Sequence, residues 1–186
     1  MRAVLVGAGV TGARAARQLI SSEGFEHLVV VDDDRQRAAD VAASLGERAQ
    51  ATDWRPDLLD GRDAVLIATP GNHRPVAEAA LERGVHVVSV ADSIDEVRAL
   101  LALDAEARER DLVIAVGAGF SPGLSCVLAR HAAGDFSSVD EVHVAHVGTG
   151  GPACARRHHR ALAASAIDWR DGGWLRRAGG SGRELC

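Results

Sequence analysis

Gly7-Ala8-Gly9-Val10-Thr11-Gly12 is a G-x-G-x-x-G run whose residue types and spacing suit the grip of a phosphate. Gly7 permits a tight turn, Gly9 leaves the backbone open to a close anion, and Gly12 lets a helix pack on a strand. The first N–H groups of such a helix lack intrahelical acceptors and carry partial positive charge. Asp32 follows twenty residues after Gly12, where a carboxylate can accept hydrogen bonds from ribose hydroxyls. The combination predicts a site for NAD or NADP built from Gly7, Ala8, Gly9, Val10, Thr11, Gly12, Asp32 and Asp33. A structural glycine turn is the alternative reading of the same residues. An acid at this place favours NAD, because it repels a 2′-phosphate. Arg35 is the cation that could reach such a phosphate, and Arg37 reads as helix surface.

Three further segments carry chemistry-bearing residues. Ala68-Thr69-Pro70-Gly71-Asn72-His73 follows an apolar run, which puts Ala68, Thr69 and Pro70 near the nicotinamide half of a bound dinucleotide. Asn72 is a helix-cap residue type. His73 is a candidate acid/base, the alternative being a plain place on the first helical turn. Ser89-Val90-Ala91-Asp92-Ser93 ends another run, bringing Ala91 and Asp92 to the same edge. Asp92 is the second acid/base candidate; it could instead cap the next helix, a role for which Ser93 competes. Gly117-Ala118-Gly119-Phe120-Ser121-Pro122-Gly123 is a second glycine-rich turn. Gly117 and Gly119 either touch the cofactor or only make a compact connection. His158 and His159, among Arg156, Arg157 and Arg160, read as a solvated helix face, since adjacent helical residues point about 100° apart. With Cys126, Cys154 and Cys186 widely spaced, no metal site is expected.

The elements that must position these residues alternate. Short apolar runs at Ala3–Val6, Leu28–Val31, Ala64–Ala68, Val85–Val90 and Leu112–Val116, with a weaker one at Arg48–Ala51, predict strands. Between them Thr11–Ile20, Asp34–Leu45, Pro75–Arg83 and Ile94–Arg110 predict helices. Continuous apolar strands joined by helices imply a parallel sheet covered on both faces, the doubly wound α/β (Rossmann) plan with strand order 3-2-1-4-5-6. Residues 1–134 are expected to form this dinucleotide-binding domain. Residues 135–186 read as the start of a partial α+β substrate or dimerisation domain. They should hold a helix from Ala153 to Ala166, a half-exposed strand at Glu141–Val147, and a hairpin turning at Asp171-Gly172-Gly173. A helix over Pro122–Ala133, capped by Ser121, should join the two parts.

Composition narrows the classes. The 186 residues are 47% apolar but only 3% aromatic, a globular composition with a core of small and branched side chains. The net charge of −5 argues against a nucleic-acid partner. No apolar run approaches the ~20 residues of a membrane helix, and sparse cysteines fit a reducing cytoplasm. The chain contains neither lysine nor tyrosine, which excludes any mechanism in which this chain supplies either group.

Several motifs resemble the saccharopine dehydrogenase-like family of NAD(P)-dependent oxidoreductases: V-G-A-G-V-T-G at Val6–Gly12, A-T-P-G at Ala68–Gly71, V-V-S-V-A-D at Val87–Asp92, G-A-G-F-S-P-G at Gly117–Gly123, and W-R-D-G-G-W at Trp169–Trp174. That resemblance implies hydride transfer on an amino-acid-like or imine-type small molecule. The stretch from Ala68 to Val87 also resembles the glucose-fructose and inositol dehydrogenase type of sugar oxidoreductase. In that family the next strand ends in a Glu-Lys-Pro signature, whereas here it reads Val90-Ala91-Asp92. A non-catalytic dinucleotide-binding module or truncated fragment, and a ligand-free structural domain, are the remaining alternatives. The strand at Glu141–Val147 would present an edge for pairing, so a homodimer is expected; a strictly monomeric sedimentation profile would contradict it.

Overall fold

The computed structural model describes residues 1–144, 150–170, 172–179 and 181. The chain divides into two units, Met1–His146 and Val147–Cys186.

In the first unit the apolar runs form β1 (Arg2–Val6), β2 (His27–Val31), β3 (Ala49–Ala51), β4 (Ala64–Ile67), β5 (His86–Ser89) and β6 (Ile114–Val116). All neighbouring pairs are parallel, in the order β3-β2-β1-β4-β5-β6. The helices are α1 (Val10–Ser21), α2 (Arg35–Leu45), α3 (Arg74–Glu82), α4 (Ile94–Leu101), α5 (Asp104–Glu109) and α6 (Leu124–Ala133), with a 3-10 turn at Pro56–Leu59.

Strand alternation divides the core into two layers. Ala3, Leu5, Leu28 and Val30 pack with Ala16 and Ile20 of α1 and Ala38, Val41 and Ala42 of α2. Val4, Val29, Val31, Val65 and Ile67 pack on the other face with Leu59, Ala77, Leu81, Leu100 and Leu103. Side chains on a strand point alternately to opposite faces, so strands apolar at every position need helices on both sides. Strand order reverses beside β1, between its neighbours β2 and β4. The turn after β1 therefore opens onto the crevice where such sheets bind ligands.

Some boundaries differ from expectation. The single helix over Ile94–Arg110 is two helices. Leu103 interrupts them with ψ 2°, and Asp104 and Glu106 open α5, acids that suit a new helix N-terminus. The helix expected from Pro122 starts at Leu124 instead, because Gly123 at its N-cap has φ 128°, outside helical space. Ser121 is thus not the cap.

The second unit contains α7 (Pro152–Ala163) and an antiparallel pair, β7 (Ser165–Arg170) and β8 (Gly173–Ala178). Helix α7 ends earlier than expected because Ser165 already pairs with Ala178. Of the strand expected at Glu141–Val147, residues 141–144 are not strand; the remainder lies outside the described residues. No helix among the described residues is long and apolar enough to cross a membrane.

Candidate functional site

The glycine turn is built by backbone approaches that side chains would block. Gly7 donates its N–H to the Val31 carbonyl at 2.8 Å and has φ 104°; a Cβ there would stand 2.6 Å from the Ala68 carbonyl oxygen. A Cβ on Gly12 would overlap the Gly7 carbonyl oxygen, so α1 can start this close to β1 only without one. Gly9 is different, because a Cβ there would meet nothing within 4 Å. Gly9 is the N-cap of α1, no side chain caps that end, and its first turn has no acid. The space beside Gly9 thus faces helix N–H donors and partial positive charge, as a pyrophosphate requires. Ala8 is buried, while Val10 and Thr11 are exposed on the first turn.

Asp32 closes the turn from the β2 side, with only 5% of its side chain exposed. Its Oδ2 accepts the Ala8 N–H at 2.6 Å. Its Oδ1 accepts the Asp34 N–H at 2.9 Å, Arg37 Nε at 3.2 Å and Arg37 Nη2 at 2.5 Å. Burial pushes this carboxyl up, but the Arg37 guanidinium and the Asp34 and Ala8 N–H groups outweigh burial and hold it at about 2. Arg37 also lies 3.2 Å from Asp33 and 3.8 Å from Asp34. Asp33 itself is almost fully exposed.

Arg35, expected to reach toward the ribose, instead pairs with Asp53 at 2.7 Å. Arg37, expected as surface, is the cation that meets the Asp32 carboxylate. Asp34 caps α2 by accepting the Arg37 N–H at 3.0 Å, and residues two apart on a helix point about 200° apart, so only one of the two arginines can face Asp32.

The ends of β4 and β5 meet through His73. This ring is 1% exposed, with Nε2 2.9 Å from the Thr69 carbonyl and Nδ1 2.7 Å from Ser89 Oγ. A carbonyl only accepts, so Nε2 carries the hydrogen, and Nδ1 then accepts from the Ser89 hydroxyl. Ser89 Oγ in turn accepts the Ala91 N–H at 3.1 Å. The chain of bonds ties Thr69 to Ala91 and leaves neither ring nitrogen turned to the crevice, so His73 positions the two loops. Ser89, which nothing in its local sequence singled out, is the partner that makes this possible.

Ala68 is tied to β1 through its N–H, 2.7 Å from the Val6 carbonyl; Thr69 is half-buried and Pro70 exposed. Asn72 accepts the Arg74 N–H at 3.1 Å. Asp92 is exposed and is not the cap of α4: Ser93 is, accepting the Glu96 N–H at 3.3 Å. Gly117 is buried with φ 71°, and a Cβ there would stand 3.0 Å from Pro122 and 3.8 Å from the Ala91 carbonyl; one on Gly119 would stand 3.8 Å from the Val90 carbonyl. The second glycine turn therefore packs on the loop that holds Ala91. On α7, in the other unit, Arg156, His159 and Arg160 are exposed.

A six-stranded parallel sheet, a glycine turn at its topological switch point and a carboxylate at the end of β2 define a dinucleotide-binding Rossmann protein. A model of the oxidoreductase family with an NAD-binding Rossmann fold, GFO_IDH_MocA, matches residues 1–118, and the chain belongs to that family. A 4-carboxy-2-hydroxymuconate-6-semialdehyde dehydrogenase from Sphingobium sp. (strain NBRC 103272 / SYK-6) is 33% identical over 122 residues, covering 63% of this chain and 38% of that protein. The UDP-N-acetylglucosamine 3-dehydrogenase of Acidithiobacillus ferrooxidans is 36% identical over 118 residues, covering 63% and 36%. The chain spans less than two-fifths of the length of these relatives.

Similar solved structures include complexes with each cofactor. GenD2 of gentamicin A biosynthesis, bound to NAD, has TM-score 0.56 at 27% identity over 73% of this chain and 39% of its own. Biliverdin reductase of Synechocystis sp. PCC 6803, bound to biliverdin and NADP+, has TM-score 0.51 at 28% identity over 62% and 37%. Saccharopine dehydrogenase of Saccharomyces cerevisiae aligns over 96% of this chain and 44% of its own with TM-score 0.64, but at 18% identity, a likeness of fold alone. The saccharopine dehydrogenase-like assignment is therefore corrected. The turn at Gly117–Gly123, its most specific support, satisfies a packing need that any tight strand-to-helix connection has.

Gly12→Ala should lower the melting temperature, at an overpacking cost of about 1–3 kcal/mol. Gly9→Ala should cost less stability yet weaken NADH binding, since its new methyl enters the open space. Thermal melts and NADH titrations separate the two. Asp32 is held at about 2, below its ordinary 3.8. A depressed carboxyl stabilises the fold above about pH 4, and that contribution is lost as pH falls through 3.8 toward 2. Asp32→Asn should flatten the stability profile in that window, as chemical denaturation across pH would show.

Proposed function

We propose that the chain binds NAD(P) on the Gly7–Gly12 turn and Asp32, as the cofactor half of an oxidoreductase acting on a hydroxyl-bearing, sugar-like small molecule. The observation that carries this reading is the open space beside Gly9, facing an uncapped, acid-free helix N-terminus. When bound, the nicotinamide cofactor takes up or gives a hydride. The protein's part is to hold the pyrophosphate at α1, receive the ribose at Asp32, and shape the nicotinamide side with Ala68, Thr69, Pro70, Ala91, Gly117 and Gly119. The names of the relatives support a dehydrogenase, and that of the Acidithiobacillus ferrooxidans protein supports a sugar-like substrate. Residues 1–134 serve as the dinucleotide domain in this reading, and residues from 135 onward contribute to the substrate side.

Two observations favour a second reading, a dinucleotide-binding module without turnover. Val90-Ala91-Asp92 supplies no lysine, and both nitrogens of His73 are engaged inside the protein. Asp92 is then the acid/base candidate left at this edge.

Titration with NADH, followed by its fluorescence, tests the shared cofactor claim. Saturable binding is the expected result; a folded protein with no saturable change at about millimolar cofactor, a level at which even weak binding of about −4 kcal/mol registers, would sink both readings. Hydride transfer to sugar nucleotides by the binding-competent protein then separates enzyme from module.

A further inference from the structure

Arginines of α3 and α5 are neutralised along their own helices, Arg74 by Glu78 and Arg108 by Asp104, each pair four positions apart. Helix α7 has no acid that could do this, and residues 147–167 contain neither Asp nor Glu. The unit Val147–Cys186 holds seven arginines against three acids, a net charge of +4. The unit Met1–His146 holds fourteen arginines against twenty-three acids, a net charge of −9. The overall −5 therefore conceals a cationic unit, and such asymmetry along a chain points to an anionic partner. Arg156, His159 and Arg160 stand at i, i+3 and i+4, which makes them neighbours on one side of α7, and all three are exposed. Among the described residues none of the three forms an ion pair. Like charges at i, i+4 repel, and an anion bound between Arg156 and Arg160 would relieve that repulsion.

We propose that this side of α7 binds the phosphate group of a small anionic molecule through Arg156, His159 and Arg160. The two guanidinium groups are planar forks that fit phosphate oxygens bidentately, and His159 adds a ring N–H in either protonation state. A phosphate group offers three terminal oxygens and a charge of about −2. A carboxylate offers two oxygens and a single charge, so three donor side chains match the phosphate better. The site shares no residue with the glycine turn. That the phosphate belongs to the substrate rests on the proposed oxidoreductase, in which residues from 135 onward serve the substrate side; the substrate class is then a phosphorylated, sugar-like molecule. The phosphate site itself stands without that reading.

The test is calorimetric titration of the whole chain with inorganic pyrophosphate, with NADH present at about millimolar level to fill the glycine turn. Wild type should bind pyrophosphate saturably. Arg156→Gln and Arg160→Gln should each weaken it by about tenfold or more, the scale of one lost charge-assisted contact. Arg160→Lys keeps the charge without the fork and should give an intermediate loss; it also serves if the Gln variants do not fold. Arg176→Gln removes the same charge from an exposed position on β8 and should keep the wild-type affinity. No saturable binding by folded wild type, an equal loss in Arg176→Gln, or tighter binding of citrate than of pyrophosphate would each overturn the phosphate site. So would tighter binding of a single-stranded DNA oligonucleotide through the same residues, which would make the face a nucleic-acid surface. Pyrophosphate binding that depends on Arg156 and Arg160 in a protein with no saturable NADH response would leave the site standing and overturn only its assignment to an oxidoreductase substrate.

Discussion

Helix α1 begins almost on top of the strand that precedes it. The Gly7 carbonyl occupies the space where a Cβ on Gly12 would be, and Gly7 in turn lies against the Ala68 carbonyl. These backbone approaches lock the ends of β1 and β4 to the start of α1. They direct the helix N-terminus into the crevice formed where strand order reverses. Most of the site depends on that constraint. The donors at Gly9, the turn that brings Ala8 N–H to Asp32, and the placement of Thr69 all derive from it.

The rest of the site is a set of polar ties between loops that the sheet brings to one edge. Asp32 joins the first two loops through Ala8 and Arg37. His73 and Ser89 join the loops after β4 and β5, and Ala118 adds the loop after β6 by donating to the Ser89 carbonyl at 2.8 Å. Buried polar groups are costly unless satisfied. The His73 chain meets that requirement and, in doing so, removes the ring from the candidates for proton transfer. A histidine can thus sit at the crevice edge and serve only geometry.

Two motifs of this chain point to different families, and the matched segment separates them. The stretch from Ala68 to Val87 lies inside the segment that matches the oxidoreductase family, and its resemblance to sugar oxidoreductases pointed the right way. Val90-Ala91-Asp92 lacks the lysine of the sugar-oxidoreductase signature, and the turn at Gly117–Gly123 resembles another family. That turn has a packing explanation: Gly117 is pressed against Pro122, and a Cβ on Gly123 would stand 2.7 Å from the Gly117 carbonyl oxygen. Glycines required by sterics recur wherever the turn does, so they identify a turn more securely than a family.

Local physics made the sheet, its order and the glycine turn legible in the sequence. Strands apolar at every position require two covering layers, and the spacing of Gly7 and Gly12 meets a backbone approach between residues five apart along the chain, although the approach of Gly7 to Ala68 is made between strands. Asp34 as the cap of α2 is local in the same sense. Only the tertiary structure decided that Arg37 and not Arg35 meets Asp32, because that depends on how α2 is rotated against β2. It alone decided that His73, at the start of α3, meets Ser89, sixteen residues away at the end of β5. A residue's type and spacing state what it can bond; which partner it meets is settled by packing between elements, where a difference of two positions reverses the face of a helix.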